Sequence, residues 1–285
     1  MTVFQQRATT ATIFSAIMLT GLFWNVWSFH LLFLVIATGS IWEFLELTLP
    51  KEDYKTTRKV IGASVGFCLV ALQYYVLLNI STSEFNMATL FPSFNYESGK
   101  TINVLLFTAV LLLIFELFSK AELPFSNVAL ILMSLFYIAI PFSLFPYFCA
   151  STNGFSPNVV AGMLFLTWAN DSFAYIIGSK IGKTPFFLRI SPKKTWEGTI
   201  GGAVICLLTS AIIAQFFTQL SLANWIVIAA IIAVFGTIGD LVESLLKRSV
   251  GVKDSGSFMP GHGGFLDRFD AFIFCIPFVY FYLSL

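Results

Sequence analysis

Charged residues are scarce in this chain. Asp, Glu, Lys and Arg make up 11% of its 285 residues, against about 25% in a soluble domain. A chain so poor in charge cannot clothe itself in a polar shell, so most of its surface must meet something other than water. An excess of one sign is also missing. The formal net charge is +1, which excludes the bulk basic field that gathers nucleic acid. Cysteine is sparse: Cys68, Cys149, Cys206 and Cys275 each stand in or beside a different apolar run. Without a Cys-x-x-Cys spacing, neither a zinc site nor a disulfide framework is indicated, and the four read as small apolar residues. The string Gly-x-x-x-x-Gly-Lys-[Ser/Thr] is absent, which excludes a Walker-type nucleotide site. Internal repeats, low-complexity tracts and a second soluble domain are absent as well. The start of the chain carries one basic residue, Arg7, and then an apolar stretch with no small-x-small cleavage site. With hydrophobicity resuming at Leu31, it reads as a retained membrane span and not a signal peptide.

Apolar sequence is what the chain has in abundance. Hydrophobic residues account for 57%, including 33 phenylalanines, and mean hydropathy is +0.85. A spanning helix needs roughly 20 apolar residues, and about nine candidates follow one another along the chain. They fall near 8–26, 28–48, 60–80, 102–118, 128–148, 159–178, 199–219, 224–246 and 265–284. The expected fold is an all-α polytopic integral membrane protein. Residues 1–158 form an N-terminal scaffold of about five spans and residues 159–285 a catalytic region of about four. Nine spans place 15 of the 16 basic residues on one side and only Lys100 on the other. The positive-inside rule makes the basic side cytoplasmic, with the N-terminus inside. Lys51 to Lys59 fits a topology signal and headgroup contact.

Carboxylates in or next to spans are costly and are functional candidates by default. Asp171 lies in the sixth segment, Asp240 and Glu243 in the eighth, and Asp267 and Asp270 open the ninth. At 1.5 Å per residue, Asp171 and Asp240 both sit ~10–14 Å from the cytoplasmic ends of their helices. The three-residue spacing puts Asp240 with Glu243, and Asp267 with Asp270, on one helix face each. Carboxylates converging at low dielectric repel by several kcal/mol unless neutralised. A divalent cation resolves the conflict, and all-oxygen ligands favour Mg²⁺ or Mn²⁺. Buried ion pairs with Arg268, Lys247 and Arg248 are the structural alternative.

The loops beside these acids carry phosphate-binding features. Gly261-His262-Gly263-Gly264 can bring backbone N–H groups close to an anion, and it leads into a helix N-terminus. Lys193 and Lys194 follow Ser191-Pro192 at another loop-to-helix transition, while Lys247, Arg248 and Lys253 add positive charge. Metal-holding carboxylates, lysines and glycine-rich helix entries are the parts used in phosphoryl and nucleotidyl transfer. His262 can donate to a phosphate or order its loop, whereas His30, between the first two segments, reads as structural.

These residues fall into long motifs. One is Ser244-x-x-Lys247-Arg248-x4-Lys253-Asp254-x-Gly256-x3-Pro260-Gly261-His262-Gly263-Gly264-x2-Asp267-Arg268-x-Asp270. Two others are Asp171-Ser172-Phe173-Ala174-Tyr175-x2-Gly178-x3-Gly182-Lys183 and Ser191-Pro192-Lys193-Lys194-Thr195-x-Glu197-Gly198-x2-Gly201-Gly202. Together with Gly239-Asp240 and Glu243-Ser244, they resemble the phosphatidate cytidylyltransferases (CDP-diacylglycerol synthases) over roughly residues 170–270.

The resemblance implies that CTP and phosphatidic acid give CDP-diacylglycerol and pyrophosphate, with Mg²⁺ and a site able to take two metal ions. A phosphate oxygen of phosphatidic acid would attack the α-phosphorus of CTP in line, with catalysis mainly by positioning and charge neutralisation. Asp240 and Asp267 are the first-choice metal ligands, with Asp270, Asp171 and Glu243 as further candidates. Asp240, Asp267, Asp270 and Lys247 form the expected catalytic set. Ser191, Lys193, Lys194, Arg248, Lys253, His262, Gly263, Gly264 and Arg268 form the expected substrate-binding set. The partners are CTP, phosphatidic acid and the bilayer, with no nucleic acid, and a homodimer is compatible with the reading. The location is the cell (inner) membrane, multi-pass, with the active site on the cytoplasmic side. A cytidylyltransferase of an ether or isoprenoid lipid shares this chemistry. An ion-coupled transporter with Asp171, Asp240 and Asp267 along an ion path is the alternative of a different class. The helical Asp-Gly-x2-Ala-Arg string of the CDP-alcohol phosphotransferases is absent.

Overall fold

The structure, a computed structural model, describes residues 3–80, 87–151, 154–256, 258 and 263–285. The described residues are mostly helical. In chain order the helices are α1 (Val3–Phe23), α2 (Val26–Thr48), α3 (Lys55–Ile80) and α4 (Met87–Ser119), then α5 (Pro124–Cys149) and α6 (Asn158–Ile181). They continue with α7 (Trp196–Phe216), α8 (Leu222–Ser249) and α9 (Leu266–Leu283). Each apolar segment picked out from the sequence falls on one of them. On length and apolar composition, six regions can cross a membrane: α2, Thr101–Ser119 within α4, α5, α6, α7 and α8. Thr9–Phe23 is a shorter apolar helix. Two short antiparallel hairpins complete the described elements: β1 (Ala150–Ser151) with β2 (Gly154–Phe155), and β3 (Pro185–Phe187) with β4 (Ser191–Thr195).

Two compact units divide the chain. The first comprises residues 1–146, 150–155 and 256–266, and the second comprises 147–149, 156–255 and 267–285. In the first unit, α2 begins at a capping box. Asn25 Oδ1 accepts from Ser28 N–H at 2.9 Å, and Ser28 Oγ accepts from Asn25 N–H at 3.0 Å, satisfying donors that a helix start leaves orphaned. His30 lies just inside this helix and not in the turn. It is buried, with its ring centroid 3.9 Å from that of Tyr74. Phe29, Phe33, Phe142 and Phe145 form an aromatic core, with Phe33 and Phe145 edge-to-face at 4.6 Å.

The basic cluster at 51–59 does not act as one headgroup-facing patch. Arg58 is fully buried and grips Glu116 with two hydrogen bonds, of 2.5 and 2.9 Å, while its Nη1 donates to the Asp53 carbonyl. Lys59 pairs with Glu46 at 2.5 Å and lies over the Trp42 ring. A guanidinium withdrawn from water takes a fixed carboxylate partner in place of mobile lipid phosphates.

The second unit is built on close helix approach. A Cβ added at Gly198 would fall 2.6 Å from the Ala174 carbonyl oxygen, and one at Gly202 would fall 2.6 Å from that of Asn170. This small-x3-small spacing lets the α6 and α7 backbones nearly touch. In α8, Trp225 is fully buried and donates from Nε1 to the Phe217 carbonyl at 3.0 Å. A π-helical turn at Ile232–Gly236 follows in the same helix. Just beyond it, a Cβ at Gly239 would meet the Asp270 carbonyl oxygen at 3.0 Å, so α8 and α9 also cross closely.

Candidate active site

Four parts of the second unit supply the charged side chains. The first is α6, which carries Asp171. The second is the end of β4, where Thr195 caps α7 by accepting the Gly198 N–H at 3.2 Å. That cap fixes the strand-to-helix corner immediately after Lys193 and Lys194. Glu197 braces the same corner from the first turn of α7, because its carboxylate accepts the N–H groups of Lys183 and Thr184 at 3.1 Å. The third is α8, which carries Asp240, Glu243 and Lys247, and the fourth is the start of α9, with Asp267 in its first turn and Asp270 just beyond. The π-helical turn sits directly before Thr237 and Asp240, and such bulges recur where a helix must aim functional side chains.

A cavity of about 460 Å³ opens among these elements, lined in part by Asn170, Asp171, Lys193, Lys194, Thr199 and Asp240. That volume is in the range of small-molecule sites. Lys194 Nζ lies 2.5 Å from Asp240 Oδ2, and Ser244 Oγ donates to the other oxygen at 3.3 Å. Asp171 is within electrostatic reach of both Asp240 and Lys194. Asp270 is within reach of Asp240, Glu243 and Asp171.

Next to this cavity set lies a tighter network. Lys247 is ion-paired with the fully buried Glu243 and donates to Asp267 Oδ1 at 2.7 Å. The second oxygen of Asp267 accepts the Ser255 N–H at 2.8 Å and the Ser255 hydroxyl at 2.9 Å. The two carboxylates of each three-residue pair therefore take different surroundings. Asp240 faces the cavity while Glu243 is buried against Lys247, and Asp267 is held by Lys247 and Ser255 while Asp270 Oδ1 accepts the Ala271 N–H at 2.8 Å.

The remaining candidates are more scattered. Ser191 opens β4 and is half-buried. Arg248 is exposed, with Nη1 on the Val252 carbonyl at 3.1 Å, and Lys253 and Arg268 are exposed. Gly263, at φ +82°, and Gly264 belong to the first unit, where Gly264 packs on the Glu43 carboxylate. His262 lies outside the described residues.

The sequence reading missed several polar residues. Asn170 and Thr199 line the cavity and look like ordinary polar residues of helices. Ser255 stands at an unspecified position of the long motif, yet it holds Asp267. Glu43 was also missed, although an acid inside the apolar run of α2, whose only acids are Glu43 and Glu46, was itself a signal.

Among the described residues, no three His, Cys, Asp or Glu side chains are grouped closely enough to cage a metal ion. The donor set nonetheless suits a hard divalent cation. Asp171, Asp240, Glu243, Asp267 and Asp270 outnumber the lysines paired with them, Lys194 and Lys247, and all of them offer oxygen. Mg²⁺ in nucleotide enzymes is typically held by one or two carboxylates plus substrate phosphates, and a complete protein cage is not required.

Fold and site together define a helical membrane protein with a carboxylate- and lysine-lined cavity of the kind that handles phosphorylated substrates. A model of the cytidylyltransferase family matches residues 5–285, and the chain belongs to that family. It is 38% identical over 256 residues to the phosphatidate cytidylyltransferase of Bacillus subtilis (strain 168), covering 88% of both chains. The phosphatidate cytidylyltransferase of Staphylococcus haemolyticus (strain JCSC1435) is 40% identical over 185 residues, which cover 64% of this chain and 69% of that relative.

Proposed function

We propose that this protein transfers the cytidylyl group of CTP to phosphatidic acid, forming CDP-diacylglycerol and pyrophosphate. The observation that carries this reading is the cavity where Asp171, Asp240, Lys193 and Lys194 converge, in a chain of the cytidylyltransferase family. A phosphate oxygen of phosphatidic acid attacks the α-phosphorus of CTP. A new P–O bond forms, the bond to the β-phosphate oxygen breaks, and pyrophosphate leaves with the electron pair. The attacking oxygen is already ionised, so the chain need not supply a strong base. Lys193 and Lys194 bind and neutralise phosphate oxygens along the reaction path.

Asp171 and Asp240, which line the cavity, would hold Mg²⁺, with substrate phosphates completing its shell. When bound, Mg²⁺ neutralises the phosphate oxygens and the departing pyrophosphate. Asp267 and Glu243 are engaged with Lys247, which favours a role in fixing that lysine over direct metal ligation. Arg248, Lys253 and Arg268 would steer the anionic substrates from the surface.

The site belongs to the cytoplasmic side of a nine-span arrangement with the N-terminus inside. Segregation of 15 of 16 basic residues supports that topology. Residues 1–158 serve as scaffold and residues 159–285 carry the chemistry. Phosphatidic acid keeps its acyl chains in the bilayer while CTP arrives from water, so an interfacial site serves both.

The test is turnover of CTP and phosphatidic acid with Mg²⁺ in mixed micelles, followed as CDP-lipid and pyrophosphate. EDTA abolishes the activity, and Asp240→Asn or Asp171→Asn lowers it by at least about a hundredfold. Full activity in both variants would overturn the site assignment, and equal turnover of ATP or GTP would overturn the substrate assignment.

A further inference from the structure

Glu43 is far from the long motif in sequence, yet it holds residues near both ends of the motif's glycine stretch. It lies in α2, buried within an apolar helix. Its Oε2 accepts the N–H of Leu266, the first residue of α9, at 2.9 Å. That N–H is among the donors that a helix start leaves without an intrahelical partner, and a carboxylate there is further favoured by the helix dipole. The same carboxylate occupies the space that a Cβ would need at Gly256 and at Gly264. A side chain at either position would have to displace this carboxylate from its place beside the Leu266 N–H.

The residues held by Glu43 adjoin the Lys247 network along the chain. Gly256 directly follows Ser255, and Leu266 directly precedes Asp267. Ser255 donates its N–H and its hydroxyl to Asp267, and Asp267 accepts Lys247. Consecutive Cα atoms are only 3.8 Å apart, so fixing Gly256 and Leu266 restricts where Ser255 and Asp267 can go.

We propose that Glu43 is a positioning residue for the cytidylyl transfer described above, on which this inference rests. It pins the chain on both sides of the Ser255–Asp267 contact, so that Asp267 offers Lys247 a fixed acceptor. The scaffold helix α2 thereby takes part in ordering the chemistry without touching substrate. The Arg58–Glu116 pair, also buried in the first unit, gives the contrast. It ties α3 to α4 and has no residue next to the motif.

The experiment compares steady-state CDP-lipid formation in wild type, Glu43→Gln, Glu43→Ala, Gly256→Ala, Glu43→Asp and the Gly256→Ala/Glu43→Asp double variant. Each is assayed well below its own melting midpoint. Glu43→Ala is expected to lower kcat at least about tenfold while KM for CTP stays within about threefold. Glu43→Gln keeps an oxygen for the Leu266 N–H and stays within about threefold of wild type. Gly256→Ala loses activity. Glu43→Asp, one methylene shorter, makes room for the new Cβ, so the double variant recovers relative to Gly256→Ala.

Wild-type kcat in folded Glu43→Ala overturns the proposal, as do independent, multiplying effects of Gly256→Ala and Glu43→Asp. If Glu43→Ala does not fold, the glycine pair decides. A wild type that forms no CDP-lipid overturns the proposed reaction itself, an outcome separate from active wild type with indifferent Glu43 variants.

Discussion

Lys247→Met tests whether the lysine of the second unit is the counter-charge on which two buried carboxylates depend. Lys247 is 12% exposed and touches Glu243, at 0%, and Asp267, at 9%. Methionine keeps most of the side-chain length but removes the charge, so both acids lose their shared cation while staying shielded from water. Breaking a buried ion pair by removing one partner costs about 3–5 kcal/mol. The low exposure leaves little solvent screening to reduce that figure. On the soluble-protein scale the loss corresponds to a fall in melting midpoint on the order of 10 °C. Thermal unfolding in detergent reads it directly.

The compensating variant separates structure from chemistry. Lys247→Met/Glu243→Gln removes the buried acid that lost its partner, and it should recover at least about half of the lost midpoint. Activity should not return with it, because the reaction still lacks the cation beside Asp267. A Lys247→Met protein that melts within about 1 °C of wild type would refute the reasoning. So would a double variant no more stable than the single one.

Two further outcomes follow from the packing. Glu116→Gln takes from the buried Arg58 guanidinium its doubly hydrogen-bonded carboxylate and leaves it Glu52, at 3.7 Å, so it should destabilise by about 1.5–3 kcal/mol; kcat of the fraction still folded, measured below the melting transition, should be that of wild type. Gly202→Leu drives a side chain into the Asn170 carbonyl and Ala174, so α6 and α7 must separate and activity should fall at least about tenfold, whereas Ile200→Leu, on an exposed face, should be silent in the same turnover assay.

The helices were legible because the signal is long and redundant: each apolar run of some 20 residues announces itself. The charged residues of the cavity were legible for the opposite reason. Asp171 and Asp240 are rare acids in an apolar background, where each needs a purpose. What could not be read was how each acid pairs. Helical spacing puts Asp240 and Glu243 within a turn of each other, yet side-chain direction and local crowding send one to Lys194 and the other to Lys247. The burial of Arg58 was hidden too, since Lys51, Lys55 and Lys59 around it look like a solvated cluster. Its partner Glu116 is 58 residues away, and nothing local in sequence reports a contact at that range. Ser255 was invisible for a simpler reason, because serine in a Gly-rich loop usually means a turn.

The glycines of the three motifs invite one reading from sequence, as cradles for phosphate, and most of those described serve another. Gly198 and Gly202 bring α7 onto α6, and Gly239 brings α8 onto α9. This bears on why the cavity acids are aspartates. An aspartate carboxylate stands one methylene closer to its backbone than a glutamate, so Asp171 on α6 and Asp240 on α8 can face one cavity only where the helix axes approach closely. Helices with ordinary side chains between them pack with axes about 8–10 Å apart, and glycine at the crossing allows less. Short acids are in turn held more rigidly, since fewer rotatable bonds separate charge from backbone. Rigid convergence suits a reaction whose acceleration comes from placing phosphates and neutralising them, where small misplacement is expensive. On this argument the glycine spacing of the motifs and their aspartates are one feature, and a larger residue at the crossings should act on catalysis by moving charge, with no phosphate contact removed.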